Sequence, residues 1–254
     1  MKRAFTMAEV LITLGIIGII AAMTLPSLIA NYQKKVLKEQ FKVAYSLIQQ
    51  AFVRVVANLE YTPECYYWLN SPYKTVCIEW DKFGHCTKSG MADGSPMPAD
   101  IAGRFGDCEL FRETFEKNIQ VIGHCRGSDE GCIPDYEGYD TVLKNNSDTE
   151  MSDDEAFSLS GGCTAYRKSE IQRRSYVYIL KNGMILIPFQ KDRFALFLID
   201  INGKKGPNKW GYDLFSFTTK ANYGTPLIPA GGLCMIAEKG GLTTTEMIEQ
   251  MNRK

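Results

Sequence analysis

Net charge is the first thing the sequence lacks. Its 29 Lys and Arg residues balance 29 Asp and Glu residues over 254 positions, so no global field draws the chain to a polyanion. Strong nucleic-acid binding is not expected from such a balance. Histidine is scarce, with only His85 and His124. Each precedes a cysteine, yet neither belongs to a C-x-x-C or H-x-x-x-H element, and zinc sites normally show such spacing at least once. A Cys-His nucleophile is disfavoured as well, because an oxidising compartment consumes free thiols. The chain has no P-loop, H-E-x-x-H, G-x-S-x-G or G-x-G-x-x-G, which points away from an enzyme. Apolar residues are not lacking: at 45% against 23% charged, they suffice for a folded core and exclude general disorder.

Charge is also missing from one long stretch. No residue from Val10 to Ala30 is charged, and a helix of that length spans about 30 Å, the thickness of a bilayer core. Lys2 and Arg3 precede it, so the positive-inside rule keeps the N-terminus cytoplasmic and sends the remainder outward. A secretory signal peptide fits less well. Glu9 stands at the edge of the run, and no A-x-A-like site closes it before Pro26. Beyond it Val36, Leu37, Phe41, Ala44, Leu47, Ile48, Ala51, Phe52, Val55 and Leu59 recur at three- and four-residue intervals. That spacing predicts an amphipathic helix continuing to about Glu60. Pro26 removes a backbone donor and is expected to kink or loosen the helix. Gly15 and Gly18, without four-residue spacing, read as close-packing positions.

The segment KRAFTMAEVLITLGIIGIIAAMTLP resembles the N-terminus of type IV pilins and of the pseudopilins of type II secretion. It has the short basic leader, a small residue, Phe, Thr, and an acidic residue fifth in the mature chain, followed by an apolar helix. The resemblance is specific over residues 2–30 and extends along the helix to about residue 60. It implies that a prepilin peptidase cleaves between Ala4 and Phe5 and methylates the new amino group of Phe5. Ala4 stands where the family usually has Gly, a departure that keeps a small side chain.

A carboxylate in hydrocarbon costs about 2.5 kcal/mol or more, so one kept at the membrane edge normally has a partner. The resemblance implies that the partner of Glu9 is the Phe5 ammonium of a neighbouring subunit, a pair that sets the subunit stagger. Pro26 falls where the family has a helix breaker. The implied partners are other pilin or pseudopilin subunits, the prepilin peptidase, an inner-membrane assembly platform and membrane lipid. The implied location is the bacterial inner membrane, single-pass, and then an extracellular or periplasmic filament.

Eight cysteines are an even number, and the topology places all of them on the exported side, where disulfides form. Cys65, Cys77, Cys86, Cys108, Cys125, Cys132 and Cys163 fall among many Gly, Pro, Asp and Ser residues at about 61–170, and Cys234 follows. SGMADGSPMPADIAGRFGD and KNNSDTEMSDDE read as loops, whereas CELFRETFEKNIQVIGHC has the spacing of a short helix and a strand. Disulfides closing such loops add about 2–4 kcal/mol each. The pairing stays open.

The remainder is more regular. RSYVYILKNGMILIPFQ holds two β-rich runs about Asn182-Gly183, a hairpin signal. RFALFLIDING and YDLFSFTT supply a third and a fourth strand, and a meander with one apolar face needs a cover, here the exposed half of the long helix. Between those strands Asp200, Asn202 and Asp213 resemble the oxygen-rich part of a calcium loop, with Gly203 allowing the turn. Some pseudopilins hold calcium in a β-loop. The competing reading is an Asx/Gly turn closed by the Asp side chains, and Lys204, Lys205 and Lys209 crowd the loop. Thr residues ahead of Glu246 suggest a short capped helix in the tail.

These readings combine into an α+β, pilin-like fold: a long N-terminal helix on an antiparallel β-meander, with a disulfide-rich loop region. The expected organisation is a leader at 1–4, a transmembrane helix at 5–30, its amphipathic continuation at 31–60, a cysteine-rich region at 61–170 and a meander with tail at 171–254. The expected role is a structural filament subunit. The alternative is a membrane-tethered or filament-tip adhesin or binding module.

Overall fold

The computed structural model describes residues 6–61, 63, 75–82, 86–97, 108–174, 176–190, 193–220, 228–231 and 234–252. Ala4, Phe5, Cys65, His85 and the Cys108 side chain, all named above, lie outside the described residues. Two compact units divide the chain, Met1–Glu39 and Gln40–Lys254. One helix, α1 (Met7–Leu59), supplies the described part of the first unit and the opening element of the second.

The sequence composition of α1 changes along its length, and its burial changes with it. In the first unit the large apolar side chains from Val10 to Ile29 are exposed. A bare apolar surface of this kind suits lipid rather than water. This stretch is long and apolar enough to cross a membrane. Helical structure continues through Pro26 without a break. In the second unit Phe41, Ala44, Ile48, Ala51, Phe52 and Val55 are buried, which is the three-and-four spacing of one helix face.

That face packs on an antiparallel sheet. Its strands are β3 (Val121–Cys125), β4 (Val177–Leu180), β5 (Ile185–Gln190), β6 (Arg193–Asp200), β7 (Leu214–Lys220) and β8 (Ile228–Ala230), each paired to the next in chain order. The β4–β5 turn is the expected Asn182-Gly183 hairpin, with Gly183 at φ +85°. The Phe41 ring meets Phe215 at 4.7 Å and Phe217 at 5.7 Å, and Phe52 meets Phe197 at 6.2 Å. Helix α2 (Cys108–Asn118) adds Phe111 and Phe115, stacked on Phe52 at 6.0 and 5.0 Å. Helix and strand in CELFRETFEKNIQVIGHC therefore occur as the spacing predicts.

The sheet has two apolar faces, not one. Alternate side chains Val177, Ile185, Ile187, Leu196, Leu198 and Leu214 form a second core with Tyr136, Val142, Tyr166 and Ile171. The covering layer comes from the cysteine-rich segment: α3 (Tyr139–Asn146), α4 (Asp153–Leu159), a 3-10 turn (Gly161–Tyr166) and α5 (Lys168–Gln172). Composition predicts loops here, and the structure differs. KNNSDTEMSDDE in fact contains the end of α3 and the start of α4, which Ser152 caps by accepting from the Glu155 amide at 3.2 Å. Three acids in that first turn favour the helix terminus. A separate two-stranded ribbon pairs β1 (Thr75–Trp80) with β2 (Cys86–Met91).

Among the described residues, disulfides pair Cys77 with Cys86, Cys125 with Cys132, and Cys163 with Cys234. The first two clamp local turns. The third links the 3-10 turn to the segment before α6 (Thr244–Asn252) across 71 residues. In the chain-entropy view its long loop is worth about 4 kcal/mol, against about 2.5 kcal/mol for the shortest. Thr243 and Glu246 close the start of α6 as a reciprocal capping box, as the tail sequence suggests.

Candidate functional site

The N-terminal end of α1 is built from Thr6 and Glu9. The Glu9 carboxylate accepts from the Thr6 amide and hydroxyl, both at 2.8 Å, and the Thr6 hydroxyl accepts from the Glu9 amide at 3.3 Å. This is a capping box, which satisfies otherwise unpaired amides at a helix start. Within one chain the partner of Glu9 is Thr6. The missed signal is T-x-x-E directly ahead of an apolar run. Both residues would remain in a chain cut between Ala4 and Phe5.

The apolar stretch hides its few polar groups in the same way. Its three hydroxyls donate back to the helix: Thr13 to the Val10 carbonyl, Thr24 to Ile20 and Ser27 to Thr24, each at 2.9 Å. Such back-bonding leaves no hydroxyl needing water. A Cβ at Gly15 or Gly18 would meet nothing within 4 Å. If these glycines permit close packing, the partner is another molecule.

The second candidate region is the loop between β6 and β7. Asp200 and Asp213 are both buried. The Asp200 carboxylate accepts from the Asn202 amide at 3.1 Å and from the Tyr136 hydroxyl at 2.7 Å. The Asp213 carboxylate accepts from the Asn208 and Lys209 amides, both at 2.7 Å. All four carboxylate oxygens thus hold the chain itself: Asp200 to Asn202 is an Asx turn, and Asp213 closes the loop from its far end. Burial pushes Asp200 up to about 7, the Tyr136 hydrogen bond opposes this, and Asp213 adds to it. Burial raises Asp213 too, against the loop amides that hold it.

The Asn202 and Asn208 side-chain oxygens are buried without a partner. They supply two donors beside the carboxylates, where calcium takes six to eight oxygens. Among the described residues no group of three or more His, Cys, Asp or Glu converges on one point. What the loop does position is Trp210, fully buried, whose indole donates to the Glu137 carbonyl at 2.8 Å. Its ring meets Tyr139 at 6.0 Å and Tyr166 at 6.4 Å. Gly203, at φ +69°, lies so close to the Gly183 carbonyl that a Cβ would collide with it. Neither Tyr136 nor Trp210 was singled out by the sequence, since their roles depend on contacts across tens of residues.

Cys86 and Cys125 are both in disulfides, so the cysteines that follow the histidines offer no thiolate to zinc or to a nucleophilic reaction. His124 instead meets the Tyr176 and Tyr178 rings at 4.9 and 5.0 Å, tilted against the first and edge-on to the second. No family model, curated protein or solved structure matches the chain.

Proposed function

We propose that this chain is a structural subunit of a type IV pilus or type II secretion pseudopilus, made as a membrane-anchored precursor. The observation that supports the reading most is the division of α1. Its first part presents bare apolar side chains with its hydroxyls bonded back to its own carbonyls, and its second part buries one face against a disulfide-bonded α+β unit. One helix of this design serves first as an anchor in lipid and later as a strut packed among copies of itself. The leader is removed between Ala4 and Phe5, and Phe5 is N-methylated.

In the monomer Thr6 holds the Glu9 carboxylate. On assembly Glu9 passes to the Phe5 ammonium of a neighbour, which relieves the cost of a carboxylate at the membrane edge. Energy for drawing the helix out of lipid comes from a separate cytoplasmic motor. N-terminal mass analysis of the chain from cells with and without prepilin peptidase tests the reading. A mature N-methylated Phe5 is expected. A chain that still begins at unmodified Met1 in the presence of the peptidase would sink it.

One observation favours the adhesin reading as an added role. Val76, Ile78 and Trp80 alternate along β1 and are 46%, 53% and 63% exposed, on a ribbon clamped by Cys77–Cys86. Glycan-array binding by the folded exported part tests this role, and loss of binding in Trp80→Ala is its signature.

A further inference from the structure

Three lysines of α1 sit just past its apolar run. Lys34 and Lys35 are exposed and Lys38 is half-buried, and among the described residues none of the three makes an ion pair. At about 100° per residue they fall within an arc of roughly 100° on the helix. Tyr32, 67% exposed, precedes them, as aromatic residues do at a membrane interface.

Their depth and their sign both matter. If Val10–Ala30 fills the hydrocarbon, residues 31–35 rise through the next 1.5 to 7.5 Å or so, about the thickness of one headgroup layer, and the Lys38 stem is long enough to reach back into it. The disulfides of the following unit place that side in an oxidising compartment. Lysines there run against the positive-inside bias. A cationic stripe at headgroup depth matches the phosphates of anionic phospholipids in charge and in position.

We propose that Lys34, Lys35 and Lys38 form a binding site for anionic phospholipid headgroups in the exported-side leaflet, holding the subunit in the membrane until assembly. The site rests on the membrane-spanning reading of α1. It retains the subunit pool through lipid charge, and extraction into a filament requires these contacts to be released.

The test uses the full chain in detergent micelles with equimolar phosphatidylglycerol and phosphatidylcholine, and native mass analysis of the bound lipid. A juxtamembrane lysine shifts lipid preference about fivefold, so wild type should favour phosphatidylglycerol by at least about tenfold. The triple variant Lys34→Gln, Lys35→Gln, Lys38→Gln should fall to near parity, and the corresponding triple Arg variant should keep the preference. A wild-type ratio near one, or an unchanged ratio in the Gln variant, overturns the site. Alkaline carbonate extraction of membranes separates the two ideas. Release of the chain overturns the span and the site together, whereas retention with a lipid ratio near one overturns only the site.

Discussion

The Tyr136 hydroxyl donates to the Asp200 carboxylate across 2.7 Å, with both side chains buried. The bond joins the cysteine-rich layer to the end of β6, so the second cover of the sheet is pinned to the loop that carries Trp210. Replacing Tyr136 by Phe leaves a buried carboxylate oxygen short of a donor, at a cost of about 1–3 kcal/mol. Urea denaturation should show a lower midpoint with unchanged slope. An unchanged midpoint would mean that the hydroxyl contributes nothing.

Acid should strengthen this same region. Asp200 binds its proton near pH 7 in the folded chain but near the ordinary 3.8 when unfolded. Its contribution is therefore fully present below about pH 4 and is lost as pH rises through about 7. Asp213 is shifted in the same direction. Measured from pH 4 to 7, the stability of wild type relative to Asp200→Asn should fall as pH rises, on the order of a few kcal/mol in all. Parallel curves for the two proteins would refute the assignment.

The helix and the meander were readable because their signals are local. Phe41, Ala44, Ile48 and Phe52 follow the helical period, and Asn182-Gly183 is a turn whose chemistry needs no tertiary context. Helices α3 to α5 are short and lie in a segment rich in Ser, Asp and Gly, where propensity alone favours loops. Their stability comes from Val142, Tyr166 and Ile171 meeting the far side of the sheet. The disulfide map is not legible because spacing does not choose among partners, and Cys163 meets Cys234 across 71 residues of chain. The Thr6–Glu9 pair is legible in the sequence as T-x-x-E ahead of an apolar run.

Loop length ranks the disulfides. Opening Cys163–Cys234 with a double Ser substitution should cost about 4 kcal/mol, against about 2.5 kcal/mol for Cys125–Cys132. Thermal melts of the two double variants, compared with wild type under the same oxidising conditions, read out the ranking. A larger loss for the shorter loop would show that native packing, not chain entropy, governs it.

Soluble fragments should fold only if they keep the second part of α1. A fragment over 40–254 retains Phe41, Ala44, Ile48, Phe52 and Val55, all buried in the second unit. A fragment over 61–254 exposes Phe197, Phe215 and Phe217, which those residues cover. Phe52→Ala alone should cost about 3–5 kcal/mol. Circular dichroism and proteolysis should find the longer fragment folded and resistant and the shorter one degraded. Equal resistance would show that the helix seam is dispensable.

The Thr6–Glu9 box predicts an effect before any filament exists. Thr6→Val removes the hydroxyl that donates to Glu9 and accepts its amide, and loss of such a cap costs about 1 kcal/mol. Hydrogen exchange at the first-turn amides, measured on the full chain in micelles, should quicken about fivefold. Thr6→Ser should leave it unchanged because the hydroxyl is kept. Glu9→Gln keeps an oxygen that can accept the Thr6 amide, so it should leave exchange near the wild-type rate, yet under the proposed function it should deplete the sheared filament fraction, since a neutral side chain cannot pair with a neighbour's ammonium. If Thr6→Val leaves exchange at the wild-type rate, Thr6 does not hold Glu9 in the monomer, and the proposed transfer of Glu9 to a neighbour's ammonium loses its starting state.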